Sequence, residues 1–186
     1  MRKAIWAICS IITYSLSGCG PLTLDSVHQA TIDSFAKEGK PFIISGVEVH
    51  WIDSVGGVDI GIGSDNISNK TVKYVRYEVT PYNQVGDIQR SEIGGVSTTR
   101  IYSTGPYAPM TTIGEYWGDV WYNNNISCFV INRATVEYMD GSKSRYDGAG
   151  AVQNIMLPGM RNSCQASHQV LTSEYILSST HQLTAH

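Results

Sequence analysis

Val72-Lys73-Tyr74-Val75-Arg76-Tyr77-Glu78-Val79-Thr80-Pro81-Tyr82-Asn83 is the stretch that decides the fold of this chain. Val75, Tyr77 and Val79 alternate with Arg76, Glu78 and Thr80. That period of two belongs to a strand with one buried face and one wet face. Val72 and Tyr74 fall on the opposite phase, so a bulge or twist near Tyr74 is expected. Pro81 ends the run, and Asn83-Gln84-Val85-Gly86-Asp87 turns the chain.

The same period recurs on both sides. Upstream, Val47, Val49 and Trp51 alternate with Glu48 and His50, Asp53 to Gly57 makes a turn, and Val58, Ile60 and Ile62 alternate again before the polar loop Ser64 to Lys70. Downstream, Ile88 to Ile93 should return antiparallel, and Val96 to Tyr102 reads as a Thr-rich strand. Gly105-Pro106-Tyr107-Ala108-Pro109 reads as a loop, Tyr116 to Tyr122 as an aromatic strand and Asn123-Asn124-Asn125 as a turn. Cys128, Val130, Ala134, Val136 and Tyr138 share one face of a long strand. Asp140-Gly141 supplies the positive φ of a two-residue hairpin turn. After Tyr146 the pattern weakens. Gly148-Ala149-Gly150 is flexible, and Ile155-Met156-Leu157-Pro158 is a final edge segment. Val170 to Leu177 offers a short helix, and Ser178 to His186 a frayed tail. Seven to eight strands with no long helical period between Phe42 and Tyr146 predict an all-β antiparallel sandwich over residues 42–164.

One part of the pattern is more specific. Asn66-Ile67-Ser68-Asn69-Lys70-Thr71-Val72-Lys73-Tyr74, followed by Thr80-Pro81-Tyr82-Asn83 and Val85-Gly86-Asp87, resembles small bacterial immunoglobulin-like domains of the FxLYD kind. Gly105-Pro106, Val120-Trp121-Tyr122-Asn123, Cys128 and Val136 to Gly141 are similar to the later parts of such domains. The resemblance covers roughly residues 45–145, with Thr80-Pro81-Tyr82-Asn83 standing where the family has its Leu-Tyr-Asp. It implies an immunoglobulin-like β-sandwich and little chemistry.

The N-terminus reads differently. Arg2 and Lys3 precede the apolar run Ala4 to Leu16. Thirteen residues of helix reach only about 20 Å, short of the ~30 Å hydrocarbon core. A charged head, a short apolar middle and small residues at the end make a secretory signal. Leu16-Ser17-Gly18-Cys19 resembles the lipobox of bacterial lipoproteins. The resemblance implies cleavage between Gly18 and Cys19, lipidation of the Cys19 thiol, and, with Gly20 rather than Asp next, transfer to the outer membrane. Several acyl chains at ~0.8 kcal/mol per buried CH₂ would anchor firmly. Residues 1–18 are then a signal peptide, 19–41 a lipidated linker with a short helix between Ser26 and Lys40, and 165–186 a C-terminal tail.

Charge and cysteines bound the function. Loss of residues 1–18 takes Arg2 and Lys3, leaving 11 basic against 16 acidic side chains, a net charge of −5. No basic run appears, which argues against a nucleic-acid or anionic-lipid surface. With Cys9 removed and Cys19 lipidated, Cys128 and Cys164 remain, a pair suited to a disulfide outside the cytoplasm.

Candidate chemistry is sparse. The histidines His28, His50, His168, His181 and His186 show no metal-ligand spacing, so neither a metal nor a cofactor is expected. Asp53, Asp59 and Asp65 lack the near-alternate spacing of a calcium loop. Gly61-Ile62-Gly63 lacks the third glycine and following helix of a dinucleotide loop, and no G-x-S-x-G elbow occurs. Aromatic density stands out: Tyr102, Tyr107, Tyr116, Trp117, Trp121 and Tyr122. Strand alternation puts Trp117 and Trp121 on one face and Tyr116 and Tyr122 on the other. Tyr107, Tyr116 and Tyr122 therefore form a candidate partner surface, because rigid amphipathic rings supply contact area. The expected function is a lipid-anchored, non-catalytic envelope binding or scaffolding module with a protein or surface partner. The alternative is a small envelope hydrolase or sugar-modifying enzyme.

Overall fold

The computed structural model describes residues 24–52, 54–160 and 164. The lipobox, Cys19 and the tail 165–186 lie outside the described residues. The stretch quoted first is strand β3 (Val72–Tyr82), which follows β1 (Phe42–Ile52) and β2 (Gly57–Asn66). After it come β4 (Thr99–Tyr107), β5 (Thr111–Tyr122), β6 (Cys128–Tyr138) and β7 (Lys143–Asp147). Helix α1 (Leu24–Lys37) precedes the strands, and the short α2 (Ala149–Gln153) follows them. The strands form two antiparallel sheets, ordered β1-β2-β5 and β4-β3-β6-β7. Their inner faces meet in one core containing Phe42, Val58, Ile60, Val75, Tyr77, Trp121 and Phe129.

The phase conflict at Tyr74 resolves as expected. Both ladders of β3 shift register between Val72 and Tyr74, and that bulge lets Val72 and Val75 both reach the core. A second bulge corrects the reading of β6. The register slips between Glu78 and Val79, opposite Arg133 and Ile131. Phe129 and Ile131 therefore point inward before the slip, Ala134, Val136 and Tyr138 after it, and Val130 is only half-buried. Around Asp140-Gly141 the loop spans residues 139–141, closed by the Tyr138 amide on the Ser142 carbonyl, and Gly141 (φ 81°) alone adopts positive φ.

Two expected strands differ. Ile88–Ile93 makes no strand, only an isolated bridge between Tyr82 and Ile88. Its loop instead binds the free edge of β5: the Ser91 hydroxyl accepts from the Tyr122 amide, and the Ser97 carbonyl accepts from Trp121 Nε1. These contacts cover an edge that would otherwise be open to pairing. β4 starts later than expected and runs through Gly105-Pro106-Tyr107, read from sequence as a loop.

The segment expected as a linker is partly docked. Ile32 and Phe35 of α1, one turn apart, are buried with Ile43, Ile67 and Leu157 in a second apolar cluster. The helix ends in a Schellman motif: the Gly39 amide (φ 72°) donates to Ala36 and the Lys40 amide to Phe35. Residues 155–157 run beside β1, where Met156 bridges Ile44 in parallel and the Leu157 amide donates to the Ile44 carbonyl. Beyond them Cys164 is joined to Cys128 by a disulfide, Cα–Cα 5.3 Å.

The polar approach to β3 has a structural role. Buried Asn66 donates through Nδ2 to the carbonyls of Lys70 (2.9 Å) and Ala108 (2.9 Å) and accepts from Ser68 Oγ (2.7 Å). Lys70 Nζ reaches Asp140 (2.8 Å), tying this turn to the β6–β7 hairpin.

Although no basic run occurs in the sequence, the sheet gathers basic residues from separate strands. Lys73, Arg76, Arg100, Arg133, Lys143 and Arg145 all lie on the outer face of the four-stranded sheet, brought together by alternation on separate strands.

Candidate functional site

Alternation sends every second residue of β1, β2 and β5 outward, and near the middle of this sheet several of those positions are glycine. Gly46, Gly63 and Gly114 stand side by side across the three strands. In the next row Gly61 lies between Glu48 and Tyr116. This bare backbone floors an open groove of about 520 Å³, with Glu48, Tyr116 and Met160 among its walls.

Most of these glycines are not required by packing. A Cβ on Gly114 would meet no atom within 4 Å, and one on Gly46 would sit 3.7 Å from the Gly63 nitrogen, an ordinary contact. Gly63 is closer, at 3.4 Å from Gly46 and Ser45. Only Gly61 is crowded, because Glu48 Oε1 lies 2.9 Å from where its Cβ would be. A glycine inside a strand costs roughly 0.5–1 kcal/mol relative to alanine. The groove therefore has a stability cost that the core does not explain.

One end of the groove carries a polar corner. The Tyr116 hydroxyl donates to Asp59 Oδ2 (2.7 Å), and the Asp119 amide donates to Asp59 Oδ1 (2.8 Å). Asp119 takes the left-handed region (φ 53°) within an irregular stretch of β5, where residues 118–120 lie between the Ile60–Trp117 and Val58–Trp121 pairs. The Asp119 amide, then the Tyr116 hydroxyl, hold the Asp59 carboxyl below its ordinary range. Donation to that carboxylate pushes the Tyr116 hydroxyl up to about 12. The His50 ring meets Tyr116 edge-on, centroids 5.1 Å apart. Asp59 is thus a committed, ionised acceptor that fixes an exposed aromatic ring. Chemically the corner offers an apolar ring face and carboxylate charge.

The three tyrosines expected on one surface separate. Tyr116 is 49% exposed and borders the groove. Tyr122 lies on the same strand, opposite Gly57, and is half-buried. Its partner Gly57 is four residues along β2 from Gly61, the partner of Tyr116, which separates the two rings' positions by about 13 Å at the usual rise per residue. Tyr107 belongs to the other sheet and is half-buried against the core. Its hydroxyl bonds Ser103 Oγ (2.7 Å) and the Glu115 carboxylate, and burial with that donation raises its pKa. Trp121 is fully buried, while Trp117 is half-buried, donates Nε1 to the Tyr102 carbonyl and packs edge-on against Tyr77.

The residues that sequence reasoning missed are the glycines. Gly61-Ile62-Gly63, which lacks the pattern of a dinucleotide loop, places two of them at outward positions of β2. The usable signal was glycine at outward positions of three separate strands, and their register makes it a groove. Among the described residues no group of three His, Cys, Asp or Glu side chains gathers to hold a metal ion, and no helix is long and apolar enough to cross a membrane. His168, His181 and His186 lie outside the described residues. No protein-family profile matches the chain, and neither a curated protein nor a solved structure matches it.

Proposed function

We propose that this chain is a lipid-anchored, non-catalytic binding module of the cell envelope, and that its glycine-floored groove seats an extended segment of an envelope protein. The observation that carries the reading is the row Gly46-Gly63-Gly114, a strip of backbone left bare where side chains would fit. A partner segment lies flat on such a floor, with an apolar side chain against Tyr116 and Met160 and a basic one toward Glu48. The anchor rests on Leu16-Ser17-Gly18-Cys19, with cleavage before Cys19 and transfer to the outer membrane. An immunoglobulin-like, FxLYD-like type is supported by the strand order β1-β2-β5 against β4-β3-β6-β7, in which the chain crosses between sheets after β2, β4 and β5. The hydrolase or sugar-modifying alternative draws less support, because Asp59 is already engaged and the groove is open.

Crosslinking in intact envelopes followed by affinity capture tests the groove. Tyr116→Ser should reduce capture of the partner while the protein still melts cooperatively; undiminished capture contradicts the assignment. Anchoring is tested separately by metabolic labelling with a fatty-acid analogue. Cys19→Ser should abolish the label, and retained label contradicts lipidation there.

A further inference from the structure

The outer face of the four-stranded sheet is a charged grid. One row across the strands reads Arg100, Glu78, Arg133, Asp147. The next row brings Arg76 and Arg145, and the third Glu137 and Lys143, with Lys73 at the bulge. Six cations thus meet three carboxylates, on a chain whose net charge is −3. Each carboxylate is already neutralised. Glu78 receives Arg100 (3.3 Å) and Arg133 (3.1 Å), Asp147 receives Arg133 and Arg145 (2.6 Å), and Glu137 receives Arg76 (2.8 Å) and Lys143 (3.4 Å). A surplus of three positive charges remains spread over a broad face.

The arginines also converge. Arg76, Arg100 and Arg133 line a depression of about 200 Å³ together with Tyr102 and the Glu78 carboxylate that Arg100 and Arg133 neutralise. A guanidinium carries five N–H donors in a planar fork suited to phosphate. In these ion pairs Arg76 and Arg100 each engage a carboxylate through one nitrogen, so donors remain for a further anion. We propose that this face docks on an anionic, phosphate-bearing lipid surface, with headgroup phosphates taken by the arginine depression.

Two features favour a lipid surface over an acidic protein. A protein interface needs buried apolar anchors at its centre, and the large apolar group exposed beside the depression is Tyr102, 53% exposed. A fluid headgroup layer needs no shape complementarity, and tyrosine suits the membrane–water boundary. The inference stands on the four-stranded sheet alone, independent of the groove on the other sheet.

Flotation of the full chain with neutral phosphatidylcholine vesicles and with vesicles containing phosphatidylglycerol tests it. The wild type should prefer the anionic vesicles, and high salt should remove the preference. Arg76→Gln with Arg100→Gln and Arg145→Gln should cut that preference by about tenfold or more. All the proteins compared carry Cys19→Ser, so no acyl chain holds any of them on the vesicles and the face alone sets the preference. The same three positions changed to Lys should keep a salt-sensitive preference for the anionic vesicles, weaker than that of the wild type because the charge stays and the guanidinium fork is lost. Should the triple Gln variant fail to fold, Lys143→Gln with Arg145→Gln, on exposed side chains of edge strand β7, gives the same readout at about tenfold. Equal binding of the wild type to both vesicles overturns the proposal. So does a folded Gln variant with unchanged preference. Preference of the wild type for poly-glutamate over anionic vesicles also overturns it, in favour of an acidic protein.

Discussion

On the outer face of the three-stranded sheet, three glycines occupy one row; on the outer face of the four-stranded sheet, a row reads Arg100, Glu78, Arg133, Asp147. Both faces belong to strands with the same inward apolar phase, so the core does not distinguish them. The charged face satisfies itself through ion pairs between neighbouring strands, as cross-strand pairs do. The glycine face gives up side-chain contacts, and α1 and residues 155–157 cover one end of it while its middle stays open. The contrast teaches where to look for function: at positions where the sheet forgoes stabilisation that its packing would allow.

The largest expected effect concerns what closes the groove side. Met160 stands four residues before Cys164, which the disulfide fastens to the start of β6. Cys128→Ser with Cys164→Ser should lower stability by roughly 3–4 kcal/mol in the chain-entropy model, read by thermal melting. Non-reducing mass mapping should recover the two cysteines in one linked peptide; free thiols on both would remove the wall from the account. Next comes a change that should leave both faces intact. Asn66→Ala strips donors from the Lys70 and Ala108 carbonyls and should cost about 2–3 kcal/mol, read by urea unfolding.

Acid separates the faces. Glu137 and Asp147 on the charged face are held below their ordinary ranges chiefly by Arg76 and Arg133, Asp140 at the adjoining hairpin by Lys70, and Asp59 on the glycine face by the Asp119 amide. A carboxyl lowered in the folded state adds stability above its unfolded pKa, and that stability is lost as pH falls through the folded value. Melting temperature should therefore hold from neutrality down to about pH 5 and fall below about pH 4. Salt should shrink that fall for the charged face more than for Asp59, whose partners are hydrogen bonds. An acid response unaffected by Arg133→Gln would break the comparison. The smallest effect is spectroscopic. Tyr116 should ionise near 12, and Asp59→Asn should bring it down toward the ordinary value of 10.0.

Much of the fold was legible because period two is a local signal. Val58, Ile60, Ile62, Val75, Tyr77 and Val79 all point into the core as their alternation indicates. The bulge at Tyr74 was legible too, since two valines on opposite phases cannot both be buried without it. The slip in β6 was not, because Val130 and Ile131 are equally apolar and only the partner strand decides between them. The 83–98 loop misled because Ile88 and Ile93 look like strand residues yet are exposed, at 57% and 64%. The groove and the basic face share one reason for being hidden. Each is assembled from residues on different strands, and register, which no single window contains, brings them together.

Gly114 is the position where groove and fold come apart. Its strand has room for a side chain, with no atom within 4 Å of a Cβ, and it forms the β5 end of the glycine row that floors the groove. Gly114→Val should therefore melt at the same temperature as the wild type or higher, and should lose capture of the crosslinked envelope partner by at least about tenfold, as expected for a steric block at a tightly packed contact. A folded Gly114→Val protein that captures the same partner at the same yield would contradict the assignment of this groove as the binding surface.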